Sequence, residues 1–195
     1  MAEEIFLVND TETTGFPSDT KAARDPSQGR VIQSAYILAD RTGRHLAEVC
    51  LLIRPDGWKV QPGAFTVHGI SDEICEQYGV SSRHHFETFL ELASRATTFV
   101  SHNKKFDWRM LSIEAEAHGL KMPVFKKAIC TMSDTGRGVG HRSLAKVYQH
   151  FTGYVMSEDA HDAMVDVWAC RDVLFSWLGK TASPVNDAAQ YADIC

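Results

Sequence analysis

Two carboxylates lie one residue apart near the start of the chain. Asp10 and Glu12 follow the apolar run 5–8, which predicts a short buried strand with Asp10 at its tip. If the strand continues through both residues, their side chains project from the same face. Carboxylates so placed repel each other, and a hard cation such as Mg²⁺ or Mn²⁺ relieves that repulsion. A solvated turn is the simpler alternative.

A third carboxylate, Asp107, comes from the middle of the chain. It follows a β-prone run at 97–100 and a polar turn at 101–103, at the start of a predicted helix. The residue is either a ligand or a partner of the helix dipole. Its aromatic neighbours, Phe106 and Trp108, either pack in the core or stack on a base.

A histidine and a fourth acid lie near the end of the chain. His161 and Asp166 are five positions apart, or about 140° apart on an ideal helix, so His161 is expected on a loop or first turn. A neutral imidazole there can take a proton from water. The rival acids Asp159 and Asp162 are typical of helix caps, although spacing alone does not dismiss them.

These residues fall in three segments that resemble the exonuclease motifs of the DEDDh family. The segments are Asp10-Thr-Glu-Thr-Thr-Gly15, His102-Asn-Lys-Lys-Phe-Asp107 and His161-Asp-Ala-Met-Val-Asp166. The family includes the proofreading subunit of bacterial replicative DNA polymerase and ribonuclease T. The resemblance runs from residue 5 to about 178, and the position of His161 is typical of the histidine subclass. The stretch 65–70 is similar to the family's substrate-contact segment.

The resemblance implies an α/β protein of the RNase H-like fold, with a central mixed five-stranded sheet flanked by helices. It further implies two Mg²⁺ or Mn²⁺ ions, whose ligands are Asp10, Glu12, Asp107 and Asp166. His161 would deprotonate a water that one metal has acidified. The implied substrate-binding residues are Thr13, Thr14, His68, Asn103 and Phe106.

The expected activity is 3′–5′ hydrolysis of nucleic acid, releasing 5′-mononucleotides. Single-stranded DNA is the favoured substrate, and an exoribonuclease that trims RNA 3′ ends is the alternative, because sugar choice depends on the pocket around the 2′ position. A non-catalytic nucleic-acid-binding module is a remote alternative, since none of the five residues is missing. The resemblance also admits a proofreading role beside a polymerase or another replication or repair protein.

The elements that must position these residues can be predicted from hydrophobic period and caps. Early strands followed by strand–helix alternation predict a mixed sheet with helices packed on it. The predicted strands are 5–8, 31–39, 45–54, 97–100 and 128–132, with loops at 16–29 and 55–68; helices are expected from Ser71 and over 86–95, 106–118, 143–151 and 164–178.

The composition of the chain limits the classes of protein to which it can belong. The chain has 195 residues, 44% hydrophobic, which suits one domain; we expect it to span 1–180, with a tail of unknown role at 181–195. No apolar run approaches the roughly 20 residues that span a bilayer, so no membrane role is expected. Five cysteines without a C-x-x-C pair favour a reducing, cytoplasmic setting.

Charge is distributed unevenly along the chain. The formal net charge is −5, yet residues 101–150 carry nine Lys and Arg against four acids. This segment is expected to carry single-stranded substrate, with Lys104, Lys105 and Arg142 as phosphate contacts. Solvated helix and loop charges are the alternative.

Overall fold

The computed structural model describes residues 4–135, 139–140, 142–156 and 161–179. The predicted tail 181–195 and Asp159 lie outside these residues, and the domain bounds stay a prediction. No helix within the described ranges is long and apolar enough to cross a membrane. The strands are β1 (Ile5–Thr13), β2 (Val31–Asp40), β3 (His45–Leu52), β4 (Thr98–Ser101) and β5 (Lys127–Cys130); the helices are α1 (Pro62–His68), α2 (Asp72–Tyr78), α3 (Ser82–Ala93), α4 (Lys104–His118), α5 (Leu144–Thr152) and α6 (Ala163–Trp177).

The five strands form one mixed sheet in the order β3-β2-β1-β4-β5, which confirms the predicted fold class. Strands β1, β2 and β3 pair antiparallel, whereas β4 and β5 join parallel. Strand β1 pairs with β2 along its whole length but with β4 only over Phe6, Leu7 and Val8. The carboxyl half of β1 therefore extends past the end of β4.

Alternation along β1 assigns its two faces. Phe6 and Val8 pack with the buried residues of α6, whereas Leu7 packs with those of α3 and α4. Because side chains alternate along a strand, Asp10 and Glu12 continue the face that α6 covers. The strand thus delivers both carboxylates toward the first turn of α6.

Two predictions about local structure were wrong. Asp10 does not end its strand, because β2 continues to pair with β1 as far as Thr13. The stretch 55–68 is not wholly irregular, since helix α1 begins at Pro62 and ends at a left-handed Gly69. None of the residues of α1 is buried, so the helix carries no apolar period that sequence reasoning could detect.

The other elements fall near their predicted positions. Ser71 caps α2 by accepting a hydrogen bond from the Ile74 N–H, and Gly119 ends α4 in the left-handed conformation. Helix α3 begins at Ser82, four residues before the prediction. The predicted strand 128–132 stops at Cys130 and gives way to a π-helical turn at Thr131–Thr135.

A buried ion pair fixes α4 against the sheet. The guanidinium of Arg30 donates to both carboxylate oxygens of Glu114 at 2.8 Å, and the Ser82 hydroxyl donates to the same carboxylate. Burial alone would raise the pKa of Glu114, but Arg30 holds it below its ordinary value. Glu114 lies seven residues after Asp107, on nearly the same helix face. The pair therefore also orients the face that carries Asp107.

Candidate active site

Three of the predicted residues meet between β1 and the start of α6. Ligand atoms of Glu12, His161 and Asp166 all lie within 4.8 Å of one another. Glu12 is buried, Asp166 is partly exposed in the first turn of α6, and His161 is exposed on the loop before that helix, as its spacing predicted. Within the described residues, this group forms a candidate metal site.

Asp107 reaches the same site from the first turn of α4. One of its carboxylate oxygens accepts a hydrogen bond from the Thr11 hydroxyl and the other from the Ser101 hydroxyl, each at 2.9 Å. The sequence reasoning missed both hydroxyl groups. The sequence signal for Thr11 was its position between Asp10 and Glu12. A residue between two site residues on a strand points to the opposite face, where it can contact another element, here α4 through Asp107.

All four carboxyl groups have raised pKa values. Burial raises the pKa of Glu12 to about 8 and those of Asp107 and Asp166 to about 7. It raises that of Asp10 well above its ordinary value, and repulsion from Asp166, Asp107 and Glu12 adds to the effect. A largely buried set of hard oxygen donors that repel one another has the chemistry that a divalent cation fits.

Asp162 has the role of a helix cap. Its carboxylate accepts hydrogen bonds from the N–H groups of Met164 and Val165 at 2.9 and 3.3 Å. Gln33 on β2 donates to its other oxygen and accepts from the Ala163 N–H, so it ties the start of α6 to the sheet. The prediction that Asp162 caps this helix is confirmed, and the contribution of Gln33 was not foreseen.

The loop after β1 holds two of the predicted substrate-binding residues. The Thr13 hydroxyl donates to the Gly15 carbonyl at 3.1 Å, and the Thr14 hydroxyl accepts from the Arg30 N–H at 2.9 Å. Both side chains are buried. Their hydroxyl groups thus shape the loop beside the carboxylates, and direct contact with substrate stays a prediction.

The other predicted substrate-binding residues lie at the end of α1 and at the start of α4. Nε2 of His68, at the end of α1, is 3.2 Å from the Thr13 carbonyl oxygen, and Nδ1 accepts from the Ile70 N–H at 3.0 Å. Burial lowers the pKa of His68, and the nearby His161 lowers it further. Asn103 is exposed in the left-handed conformation that precedes α4.

Two aromatic residues complete the surroundings of the loop after β1. Phe106 on α4 meets Phe16 edge to face, with ring centroids 6.1 Å apart, and Phe16 is 85% exposed. Phe106 also packs against the buried cluster around Val31 and Met110. By contrast, Trp108 packs against Phe99, on the sheet face that α3 and α4 cover. Of the two interpretations given above for Trp108, this position fits packing in the core.

The mixed sheet and the acidic cluster at the end of β1 define an RNase H-like nuclease. The sequence model of the RNase T family, described as exonuclease, matches residues 7–174. The chain therefore belongs to this exonuclease family. No curated protein sequence matches the chain.

Solved structures of exonuclease I share the fold. Escherichia coli exonuclease I in complex with a dT13 oligonucleotide superposes with a TM-score of 0.72 at 20% identity, over 93% of this chain and 42% of that one. A zinc-bound complex of the same enzyme with single-stranded DNA gives 0.70 at 20% identity, covering 93% and 41%. Exonuclease I from Methylocaldum szegediense gives 0.71 at 18% identity, covering 90% and 40%. The chain thus spans about two fifths of the length of these proteins.

Proposed function

We propose that the protein is a 3′–5′ exonuclease that removes 5′-mononucleotides from single-stranded DNA. The observation that carries the proposal is the convergence of carboxylates from β1, α4 and α6 beside an exposed imidazole. Within the exonuclease family, this convergence has the composition needed for metal-assisted phosphodiester hydrolysis. The ions are Mg²⁺ or Mn²⁺, and the residues that hold them are Asp10, Glu12, Asp107 and Asp166.

In the proposed reaction, different residues of the chain have different roles. Two cations held by the four carboxylates would acidify the attacking water and stabilise the charge on the phosphate. His161 takes the proton from that water, because it is exposed beside Glu12 and Asp166 and can pass the proton to solvent. Thr11 and Ser101 keep the Asp107 carboxylate in one orientation throughout.

Single-stranded DNA is proposed as substrate because structures of exonuclease I with the same fold contain it. The terminal nucleotide would contact Thr13, Thr14, His68, Asn103 and Phe106, which belong to the end of β1 and the loop after it, the end of α1 and the start of α4. RNA remains the alternative substrate class, and the experiment below compares the two sugars directly. We further propose that the protein acts in the cytoplasm. A polymerase or another replication or repair protein is proposed as its partner.

Digestion of matched DNA and RNA oligonucleotides, labelled at the 3′ or the 5′ end, tests the proposal. With Mg²⁺ or Mn²⁺ we expect immediate release of a labelled mononucleotide from the 3′ end and a ladder from the 5′ label. A 3′-phosphate should block digestion, whereas a 5′-phosphate should not. Undiminished digestion in excess EDTA, or cutting of a circular single strand, would contradict the proposal; faster digestion of RNA would assign the alternative substrate.

A further inference from the structure

Gln33 lies on β2, beside the candidate active site. In the antiparallel pairing of β1 with β2, Gln33 is the direct partner of Glu12, so the two side chains project from the same face of the sheet. Only 3% of Gln33 is exposed. A buried amide has a donor end and an acceptor end that both need partners, and the amide of Gln33 finds both partners at the start of α6.

The two ends of this amide bind different groups of α6. Oε1 accepts a hydrogen bond from the Ala163 N–H at 3.1 Å, and Nε2 donates to the Asp162 carboxylate at 3.2 Å. The other oxygen of Asp162 accepts from the N–H groups of Met164 and Val165. The first three N–H groups of a helix have no partner within the helix. In α6 all three are bonded, and one of them is bonded to a side chain of the sheet.

The turn that Gln33 contacts carries two residues of the candidate site. His161 directly precedes Asp162, and the Asp166 N–H donates to the Asp162 carbonyl at 3.0 Å. Ligand atoms of Glu12, on the sheet, lie within 4.8 Å of those of His161 and Asp166. The separation of the Glu12 carboxylate from these two side chains therefore depends on where the turn lies on the sheet.

Apolar packing alone does not fix the position of this turn. Ala163, Met164 and Val167 are buried in a cluster with Val8 and Ala35 of the sheet. Apolar contact is non-directional, so it opposes separation of the helix from the sheet more than a small slide along it. Hydrogen bonds weaken steeply when their distance or angle changes. The amide of Gln33 therefore supplies the directional contact that determines where the turn lies.

We infer that Gln33 is a positioning residue for the metal site, because its amide holds His161 and Asp166 at the distance from Glu12 that metal binding requires. This inference rests on the proposed function, which takes the acidic cluster as a metal site. In this role Gln33 touches neither cation nor substrate. The bond from the Ala163 N–H joins the backbone of α6 directly to Gln33, so it remains when the Asp162 side chain is changed.

Binding of Mn²⁺ to the full chain without substrate, measured by electron paramagnetic resonance, tests the inference. Gln33→Met keeps the approximate volume of the side chain and removes both hydrogen bonds. Residues that orient metal ligands typically contribute 10–100-fold to metal affinity, so this variant should raise the dissociation constant for Mn²⁺ by about 10–100-fold. At saturating Mn²⁺ its single-turnover rate on an oligothymidylate should fall by about 10–100-fold. The oligonucleotide concentration that gives half the maximal rate should not change.

A double variant and a matched control show whether the two hydrogen bonds are the cause. Gln33→Glu combined with Asp162→Asn exchanges the amide and the carboxylate and keeps the charge and both bonds, so it should recover most of the affinity for Mn²⁺. Gln28→Met is the control, since Gln28 is also a buried glutamine with both ends of its amide bonded. Its partners are the N–H and carbonyl of Ser18, which belong to a loop and not to α6. This control should bind Mn²⁺ as the wild type does.

Urea unfolding in EDTA establishes that each variant is folded. If Gln33→Met does not fold, Gln33→Asn replaces it, because its amide is one methylene too short to reach both partners. Equal or tighter binding of Mn²⁺ in the single variant would overturn the inference, as would a double variant that recovers no affinity. A wild-type chain whose Mn²⁺ binding depends on Gln33 but which releases no mononucleotide would support the inference and refute the proposed function. A wild-type chain that binds no Mn²⁺ would overturn both.

Discussion

At the scale of single residues, two acids four positions apart at the start of α6, the cap Asp162 and the first-turn Asp166, have different roles. Asp166 lies beside Glu12 and His161, whereas Asp162 receives the N–H groups of Met164 and Val165. The structure therefore separates a proposed ligand from a cap that composition alone could not distinguish.

Replacing each of these acids should give opposite effects. Asp166→Ala should lower turnover by orders of magnitude and leave the free energy of unfolding unchanged or higher, because a repelling charge is removed. Asp162→Ala should lower the free energy of unfolding by about 1 kcal/mol and cost far less turnover. Asp162→Asn, which retains a cap, is the control. Equal losses of turnover in the two alanine variants would show that the ligand assignment is wrong.

The imidazole of His161 can be tested apart from binding. His161→Ala should slow the single-turnover rate in Mg²⁺ by about 10²–10⁴-fold, since the base is lost. Affinity for oligonucleotide in Ca²⁺ should stay near wild type. His150→Ala, on an exposed part of α5, provides the comparison. An unchanged single-turnover rate would exclude His161 as the base.

The raised pKa of Glu12 predicts how stability depends on pH without metal. The folded carboxyl group has a pKa of about 8, against an ordinary value of 4.5, so between those values the folded state holds more protons than the unfolded state. The free energy of unfolding therefore falls as pH rises through this window. In EDTA, Glu12→Gln should remove the contribution of Glu12 to this fall and gain on the order of a few kcal/mol over wild type near pH 8, but little near pH 4. The raised pKa values of Asp10, Asp107 and Asp166 leave a smaller fall in the variant. Urea unfolding of both proteins measures the difference, and parallel pH profiles would contradict the prediction.

The sequence predicted the charged residues of the candidate site because their spacing is local within each motif. Asp10 and Glu12 share a strand face, and Asp107 lies in the first turn of a helix, so the strand and helix periods indicate where each side chain points. Ser101 and Gln33 were not predicted, because each contributes through a partner far along the chain or around a turn. Such contacts depend on packing that no single segment encodes.

At the scale of elements, α4 is held by its middle as well as by its first turn. The Arg30–Glu114 pair is nearly inaccessible to solvent, and Arg30 also bonds through its backbone to Thr14. One ion pair thus connects the helix that carries Asp107 to the loop that follows Glu12.

Removing one member of the Arg30–Glu114 ion pair should lower the free energy of unfolding. Arg30→Ala leaves the Glu114 carboxylate buried without its counter-ion, and should lower the free energy of unfolding by about 3–5 kcal/mol. Replacing both residues together, Arg30→Met with Glu114→Leu, should recover much of that loss, because no buried charge is left unpaired. Chemical denaturation of the two variants measures the contrast. A double variant less stable than Arg30→Ala would refute this account.

The strands and long helices were predictable because each buries an apolar face. Helix α1 was not, since it is held by Pro62 at its start, Gly69 at its end and the bond from His68 to Thr13. Its exposed Phe65 and Val67 give no period to detect. An element that serves a site instead of the core leaves little trace in hydrophobic patterning.

At the scale of the whole molecule, the acidic cluster predicts coupling between metal binding and stability. A cation that binds only the folded chain, at a concentration about 100 times its dissociation constant, adds about 2.7 kcal/mol to the free energy of unfolding. For a chain of this size we expect Mn²⁺ to raise the melting temperature by about 5–10 °C. Calorimetry with and without EDTA measures the shift, and Asp10→Asn should reduce it. A melting temperature that Mn²⁺ leaves unchanged would contradict the proposed metal site.

The hydrogen bonds of His68 limit where protons can go. Because the Ile70 N–H is donated to Nδ1, that nitrogen carries no proton, and the ring's hydrogen lies on Nε2, directed at the Thr13 carbonyl. The imidazole is thereby fixed as one neutral tautomer with both nitrogens occupied. It cannot accept a proton from water at Nδ1 without breaking the bond from the Ile70 N–H, and it cannot relay one from His161 without also giving up the Nε2 proton that holds α1 to β1. In the proposed mechanism, His68 therefore positions α1 beside β1 and does not carry the proton that His161 takes from water.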